Sequence, residues 1–238
     1  MARALYLNDA YLREFETVVE EVSDDGVGLR ETAFYPVGGG QPSDRGVLTA
    51  GPDQRWTVTN VAKAGEKILH RVEGPPPAAG TALHGSVDWE LRFAHMRYHT
   101  CLHILSGVVF RRFGSVITGN QIYPDRARMD LNLPEFGPQT VAAVVEEVNA
   151  VVREAHPVKV RFLPRAEAER DPTLVRVARE LVPDVEEVRL IDIEGFDVQA
   201  DGGTHVANTR EVGTVRLLRT ENKGAKNKRL YVAADPPA

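Results

Sequence analysis

Two histidines, His99 and His103, stand four residues apart in an apolar stretch that reads as a helix, so their side chains leave one face a turn apart. That spacing lets two imidazoles grip one ion. Taken alone, the pair also occurs by chance on amphipathic helices. A second group adds to it: in Asp201-Gly202-Gly203-Thr204-His205 an aspartate and a histidine lie four apart across two glycines, whose flexible backbone lets both side chains converge. The two pairs together supply four nitrogen and oxygen donors, a legitimate set for zinc. The plainer alternatives are a tight turn needing positive φ at Gly202-Gly203, and a capping or hydrogen-bonded His205.

Neighbouring residues sort by helix geometry. Cys101 lies two positions from each histidine, about 200° around the helix, which sets it on the opposite face as a core residue. His95 is one turn before His99, but steps of four drift by about 40° each, so a place behind the ligands or facing the substrate suits it better. Thr100, not Glu, follows His99, so the helix lacks the general base of the metalloprotease pattern.

These residues need elements to carry them. Strand signals at Phe15–Val22, Gly28–Phe34, Trp56–Val61, Ile68–Val72 and Leu83–Val87 describe a small antiparallel β module. The run Gly74-Pro75-Pro76-Pro77-Ala78-Ala79-Gly80 is a surface loop within it, since three prolines remove donors and fix φ. At Asp88 the character changes. A helix is predicted over Trp89–Phe113, ended by Gly114, and the domain boundary falls there, giving 1–88 and 89–238.

Beyond it the pattern predicts strands at Ser115–Tyr123 and Arg126–Leu133. A helix follows over Pro138–Ala155, with Val141, Val144, Val145, Val148 and Val152 as its buried stripe. Strand Val158–Leu163, helical pieces over Arg165–Glu180, and strands Val185–Ile193, Glu211–Arg219 and Lys228–Ala233 complete it. The fold class is α+β: an N-terminal antiparallel β-barrel-like domain, then an α+β domain with a helix packed on an antiparallel sheet.

Composition bounds the function. The chain has 238 residues, 42% of them hydrophobic, enough for a sizeable core. Its first residues, Met1 to Tyr11, hold no apolar run near the about 20 residues of a membrane span, and the single cysteine cannot close an internal disulfide. A cytoplasmic location without membrane contact is expected. The net charge of −5 argues against indiscriminate coating of nucleic acid. A local basic patch, Arg216, Arg219, Lys223, Lys226, Lys228 and Arg229, is broken only by Glu221. It reads either as a solvated strand edge or as a phosphate-binding strip.

Longer stretches carry a family resemblance. Val87-Asp88-Trp89 followed by His95-Met96-Arg97-Tyr98-His99-Thr100-Cys101-Leu102-His103-Ile104-Leu105 resembles the helix of the alanyl-tRNA synthetase editing domain and of the free-standing AlaX proteins. Gly202-Gly203-Thr204-His205-Val206, with Thr209, Glu211, Val212 and Gly213, is similar to that family's second motif. Glu221-Asn222-Lys223-Gly224 and Asn227-Lys228-Arg229 resemble its C-terminal strand. Phe34-Tyr35-Pro36-Val37-Gly38-Gly39-Gly40-Gln41-Pro42, with Asp44 and Gly46, resembles the glycine-rich motif of the medium-length AlaX class. One position departs: the family carries cysteine where this chain has Asp201, a harder ligand that binds zinc through oxygen.

The resemblance implies a zinc-dependent aminoacyl-tRNA deacylase with one ion on His99, His103, Asp201 and His205. It implies hydrolysis of seryl-tRNA(Ala) and, as a second candidate, glycyl-tRNA(Ala). Gln121, in Thr118-Gly119-Asn120-Gln121, resembles a pocket position, with a surface glutamine as the alternative. Thr204 faces the amino acid or ties down its turn. Gly38, Gly39 and Gly40, with His95, are expected near the substrate, and Arg216, Lys223, Lys226, Lys228 and Arg229 on the acceptor end of the tRNA. Two other readings stay open: editing of seryl-tRNA(Thr), and a non-catalytic, metal-dependent RNA-binding module. A monomer and a homodimer are equally compatible with the sequence.

Overall fold

The computed structural model describes residues 2–133, 137–171, 174, 186–224 and 227–236. The chain divides into two compact units, Met1–His95 and Met96–Ala238, and is α+β as expected.

The first unit contains β1 (Arg3–Ala4), β2 (Glu14–Ser23), β3 (Gly26–Leu29), β4 (Glu31–Thr32), β5 (Gly46–Ala50), β6 (Gln54–Ala64), β7 (Lys67–Val72) and β8 (Ala82–Val87). Six of them close an antiparallel barrel in the order β2-β3-β7-β6-β5-β8. Alternation along β2 turns Phe15, Thr17 and Val19 inward and Glu14 and Glu16 outward. Val27, Leu29, Phe34, Leu48, Val58, Val61 and Leu83 fill the rest of the interior.

Two expectations change here. The strand expected over Gly28–Phe34 stops at Leu29, because Glu31–Thr32 pair in parallel with Arg3–Ala4 rather than continuing the barrel. Closure instead uses β5, which the sequence pattern did not reveal. Gly46 lets it approach β8 closely, since a Cβ there would stand 2.1 Å from the Ser86 carbonyl oxygen.

The segment between β4 and β5 carries the triple glycine. Gly38 and Gln41 exchange backbone bonds of 3.1 and 2.8 Å. Gly39 and Gly40 between them have φ of +56° and +82°, the mirror-image turn that favours glycine. A buried pair fixes the stem of this loop. Asp44, fully buried, accepts from Tyr35 N and from the equally buried Arg92, whose guanidinium also donates to the carbonyls of Ala10 and Ala33.

Helix α1 (Trp89–Phe113) starts in the first unit and runs on into the second. Asp88 Oδ1 accepts from Leu91 N at 3.2 Å as its cap, and Gly114, at φ +61°, ends it. The second unit continues with β9 (Ile117–Ile122), β10 (Ala127–Leu131), α2 (Pro138–Glu154), β11 (Val158–Pro164), α3 (Arg165–Ala168), β12 (Glu187–Ile193), β13 (Asp197–Ala200), a 3-10 turn at Thr209–Val212, β14 (Val215–Gly224) and β15 (Asn227–Ala234). They form a four-stranded sheet, β14-β15-β10-β9, and a three-stranded one, β11-β12-β13.

The buried stripe of α2 holds Val141, Val144, Val148, Val151 and Val152, so Val151 takes the place expected for Val145. The strand expected from Glu211 begins at Val215. Asn208 and Glu211 make a reciprocal capping box that winds Thr209–Val212 into the 3-10 turn first. The helical stretch expected to reach Glu180 is seen as α3, and its part over 175–180 lies outside the described residues, as do Val185 and Lys226.

Candidate metal centre

Helix α1 presents His99 and His103 a turn apart, and their ring centroids are 5.2 Å from each other. The Asp201–His205 turn follows β13 and brings His205 to 4.3 Å from the His99 ring and 4.5 Å from the His103 ring. Ligand atoms of His99, His103, Asp201 and His205 all lie within 4.8 Å of one another. An ion at this point would be held by these four side chains.

Neither glycine has positive φ, which corrects the tight-turn alternative, and only Gly203 serves a close approach. Gly203 lies against the His99 ring, where no side chain fits.

Electrostatics favour the ligating forms. Burial lowers the His99 imidazole below its ordinary value, with Asp201 opposing and Arg189 adding to the shift. Burial, then the charges of His99 and His103, hold His205 well below the ordinary range. Burial alone would raise the Asp201 carboxyl, but His99, His205 and His103 carry it well below the usual carboxylate range. Neutral His99 and His205 beside an ionised Asp201 are the forms in which these side chains ligate a divalent cation. The donor set therefore fits a zinc ion.

Residues around the quartet fix its geometry, and sequence reasoning missed them. Thr100 Oγ1 sits 3.2 Å from His205 Nδ1 and accepts from Val206 N, which leaves His205 Nε2 facing Asp201 at 3.1 Å. Arg189, buried on β12, donates from Nη1 to the Asp201 carbonyl at 2.8 Å, and Asp201 N donates back to the Arg189 carbonyl at 3.1 Å. Gln199 on β13 donates to the His103 carbonyl at 3.3 Å and accepts from Ser106 Oγ.

Other expected site residues are placed as follows. Thr204 is fully buried within the turn, and His95 is 1% exposed on α1. Cys101 is fully buried, and burial pushes its thiol up to about 12, so it is neither a ligand nor a nucleophile at neutral pH. Gln121 pairs with Arg128 on the face of the four-stranded sheet that also carries Gly119 and Asp130, opposite to the buried Ile122. The basic residues are largely ion-paired. Arg216 holds Asp235, Lys223 holds Glu221, Lys228 donates to Asn222 and Gly224, and Arg229 grips Asp130 through two nitrogens.

The chain is similar over nearly its whole length to known proteins. Residues 188–231 match the threonyl and alanyl tRNA synthetase second additional domain. Residues 5–91 match the class II (A) tRNA synthetases. The chain is 39% identical over 239 residues to the alanyl-tRNA editing protein AlaX-M of Saccharolobus solfataricus, covering 99% of this chain and 100% of that one. It is 40% identical to the AlaX-M protein of Methanosarcina acetivorans, covering 97% of this chain and 98% of that one. It also matches the alanine–tRNA ligase of Pyrococcus furiosus at 40% identity over 92% of this chain and 24% of the ligase.

Proposed function

From membership of the AlaX-M alanyl-tRNA editing proteins, to which this chain belongs, we propose that it deacylates tRNA(Ala) mischarged with serine, and with glycine, using one zinc ion. Aminoacyl-tRNA deacylation is the activity its full-length relatives support. The observation that carries the zinc reading is the convergence of His99, His103, Asp201 and His205, with the His99 and His205 imidazoles lowered and the Asp201 carboxyl held ionised. No described helix is long and apolar enough to cross a membrane. A cytoplasmic place beside translation fits the substrate.

A zinc ion held there supplies Lewis-acid polarisation of the ester or an anchor for the substrate amino group. The protein's own groups do the positioning. Thr100 keeps the His205 ring oriented, and Arg189 holds the Asp201 backbone. An aminoacyl ester is intrinsically labile, so oriented attack by water suffices without a covalent nucleophile. Selection for serine rests on a hydrogen bond that alanine cannot make. The substrate-facing roles of Gln121, Thr204, His95 and Gly38–Gly40, and the tRNA contacts of Arg216, Lys223, Lys226, Lys228 and Arg229, are carried by the resemblance.

The test is deacylation of Ser-, Gly- and Ala-tRNA(Ala) side by side, with metal analysis of the same protein. Rapid release of serine, spared alanine and about one zinc per chain are expected. The His99→Ala/His103→Ala variant should lose metal and activity while keeping its circular dichroism spectrum. Full turnover by metal-free protein would reject the reading.

A further inference from the structure

Strand β11 forms one edge of the three-stranded sheet, and its two faces differ in character. On one face Leu163, with Val188 and Leu190 of β12 and Ala200 of β13, closes over a small apolar cluster containing Ala168 and Leu174. On the other, Val160 and Phe162 remain 37% and 43% exposed. That second face is the one α1 covers farther in, because Gln199 there meets Ser106 and the His103 carbonyl.

Two cross-strand rows lead from the exposed residues to the metal centre. Val160 pairs with Ile191, and Ile191 with Gln199. Phe162 pairs with Arg189, which exchanges backbone and side-chain bonds with Asp201. Phe162 and Asp201 thus lie two strand spacings apart, about 10 Å. An aromatic ring of this size, left open to solvent at that distance from the ligands, is unexplained by packing. Arg189 stands between the two.

We propose that Phe162, flanked by Val160, is the stacking platform for the base of the unpaired terminal nucleotide that carries the amino acid. The span of about 10 Å suits one nucleoside with its acyl group, base on Phe162 and ester at the quartet. Unpaired bases are recognised by stacking on aromatic side chains, and every base offers a π face. This inference rests on the deacylase reading and adds a subsite to it.

The test uses the full chain and an RNA minihelix with a single-stranded CCA end, compared with the same minihelix lacking only its terminal base. Wild-type protein should bind the intact minihelix about 5- to 150-fold tighter than the abasic one, the range of base–aromatic stacking. Phe162→Ala should abolish that difference, with zinc content unchanged, and raise KM for Ser-tRNA(Ala) more than it lowers kcat. Phe162→Trp should restore the difference and report binding as fluorescence quenching.

Equal binding of both RNAs by an active wild type overturns the platform and leaves the deacylase intact. Phe162→Ala that loses zinc, or binds both RNAs equally more weakly while keeping their ratio, overturns it in favour of a structural role. Self-association that disappears in Phe162→Ala, with RNA affinity unchanged, assigns the surface to a second copy and overturns the proposal. A wild type that neither binds nor deacylates tRNA overturns both readings.

Discussion

His99 occupies the space that any side chain at Gly203 would need: a Cβ there would stand 2.2 Å from His99 Cε1 and 2.4 Å from Nδ1. Gly203→Ala must therefore turn the ring away from the quartet. At Gly202 an added Cβ meets nothing within 4 Å. Gly203→Ala should lose about tenfold or more in zinc affinity and activity, the cost usually seen when a ligand loses its support. Gly202→Ala should stay near wild type. Chelator competition on both variants checks the pair, and equal losses would show that the glycines serve folding alone.

Asp201 contributes the only negative charge among the four candidate ligands. Asp201→Cys keeps an anionic donor and offers zinc a softer one, so dialysis should show binding retained or tightened. Asp201→Asn removes the charge and should release the ion. Zinc lost from the cysteine variant but held by the asparagine one would remove Asp201 from the ligand set.

Inside the barrel, His70 is fully buried, with Nδ1 on the Val27 carbonyl at 3.0 Å and Nε2 facing Thr32 Oγ1 at 2.8 Å. Burial lowers its pKa to about 4, against the partial opposition of the Val27 bond. The unfolded chain therefore binds more protons between about pH 6.5 and 4. Stability is full above pH 6.5 and falls as pH drops toward 4, by about 3 kcal/mol from this group. Urea melts at pH 7 and 4.5 should show the loss in wild type and a smaller one in His70→Gln. Identical pH slopes in both would exclude His70 as the source.

The Arg92–Asp44 pair is wholly out of solvent. Asp44→Ala strands a buried cation and should cost about 3–5 kcal/mol. Replacing both, as Asp44→Leu/Arg92→Met, should recover much of that, since apolar pairs of similar volume often substitute well. Denaturant midpoints decide it. A single variant as stable as wild type would mean that water reaches the pair.

The sequence revealed most where local pattern and tertiary demand agree. Helix α1 could be read from its apolar run and the glycine that ends it, and the structure keeps Trp89–Phe113. Strand β13, Asp-Val-Gln-Ala, is hard to delimit from the sequence because its polar residues face helix α1 rather than water, as the Gln199 contacts show. The 3-10 turn at Thr209–Val212 was available in principle, since Asn208 and Glu211 stand at capping-box spacing, but the β-branched Val212 suggested a strand. At the candidate site the histidine spacings were visible in the sequence. Thr100 and Arg189 were not, because their parts depend on segments that meet only in the folded chain.

Thr100 and His205 meet across 105 positions of the sequence. An ion shared by α1 and the turn after β13 would act as a clasp on that long loop, and a clasp that recognises only the folded form adds to its persistence by mass action. Removing the ion would then lower resistance to proteases together with activity, a coupling that limited proteolysis with and without chelator reads out.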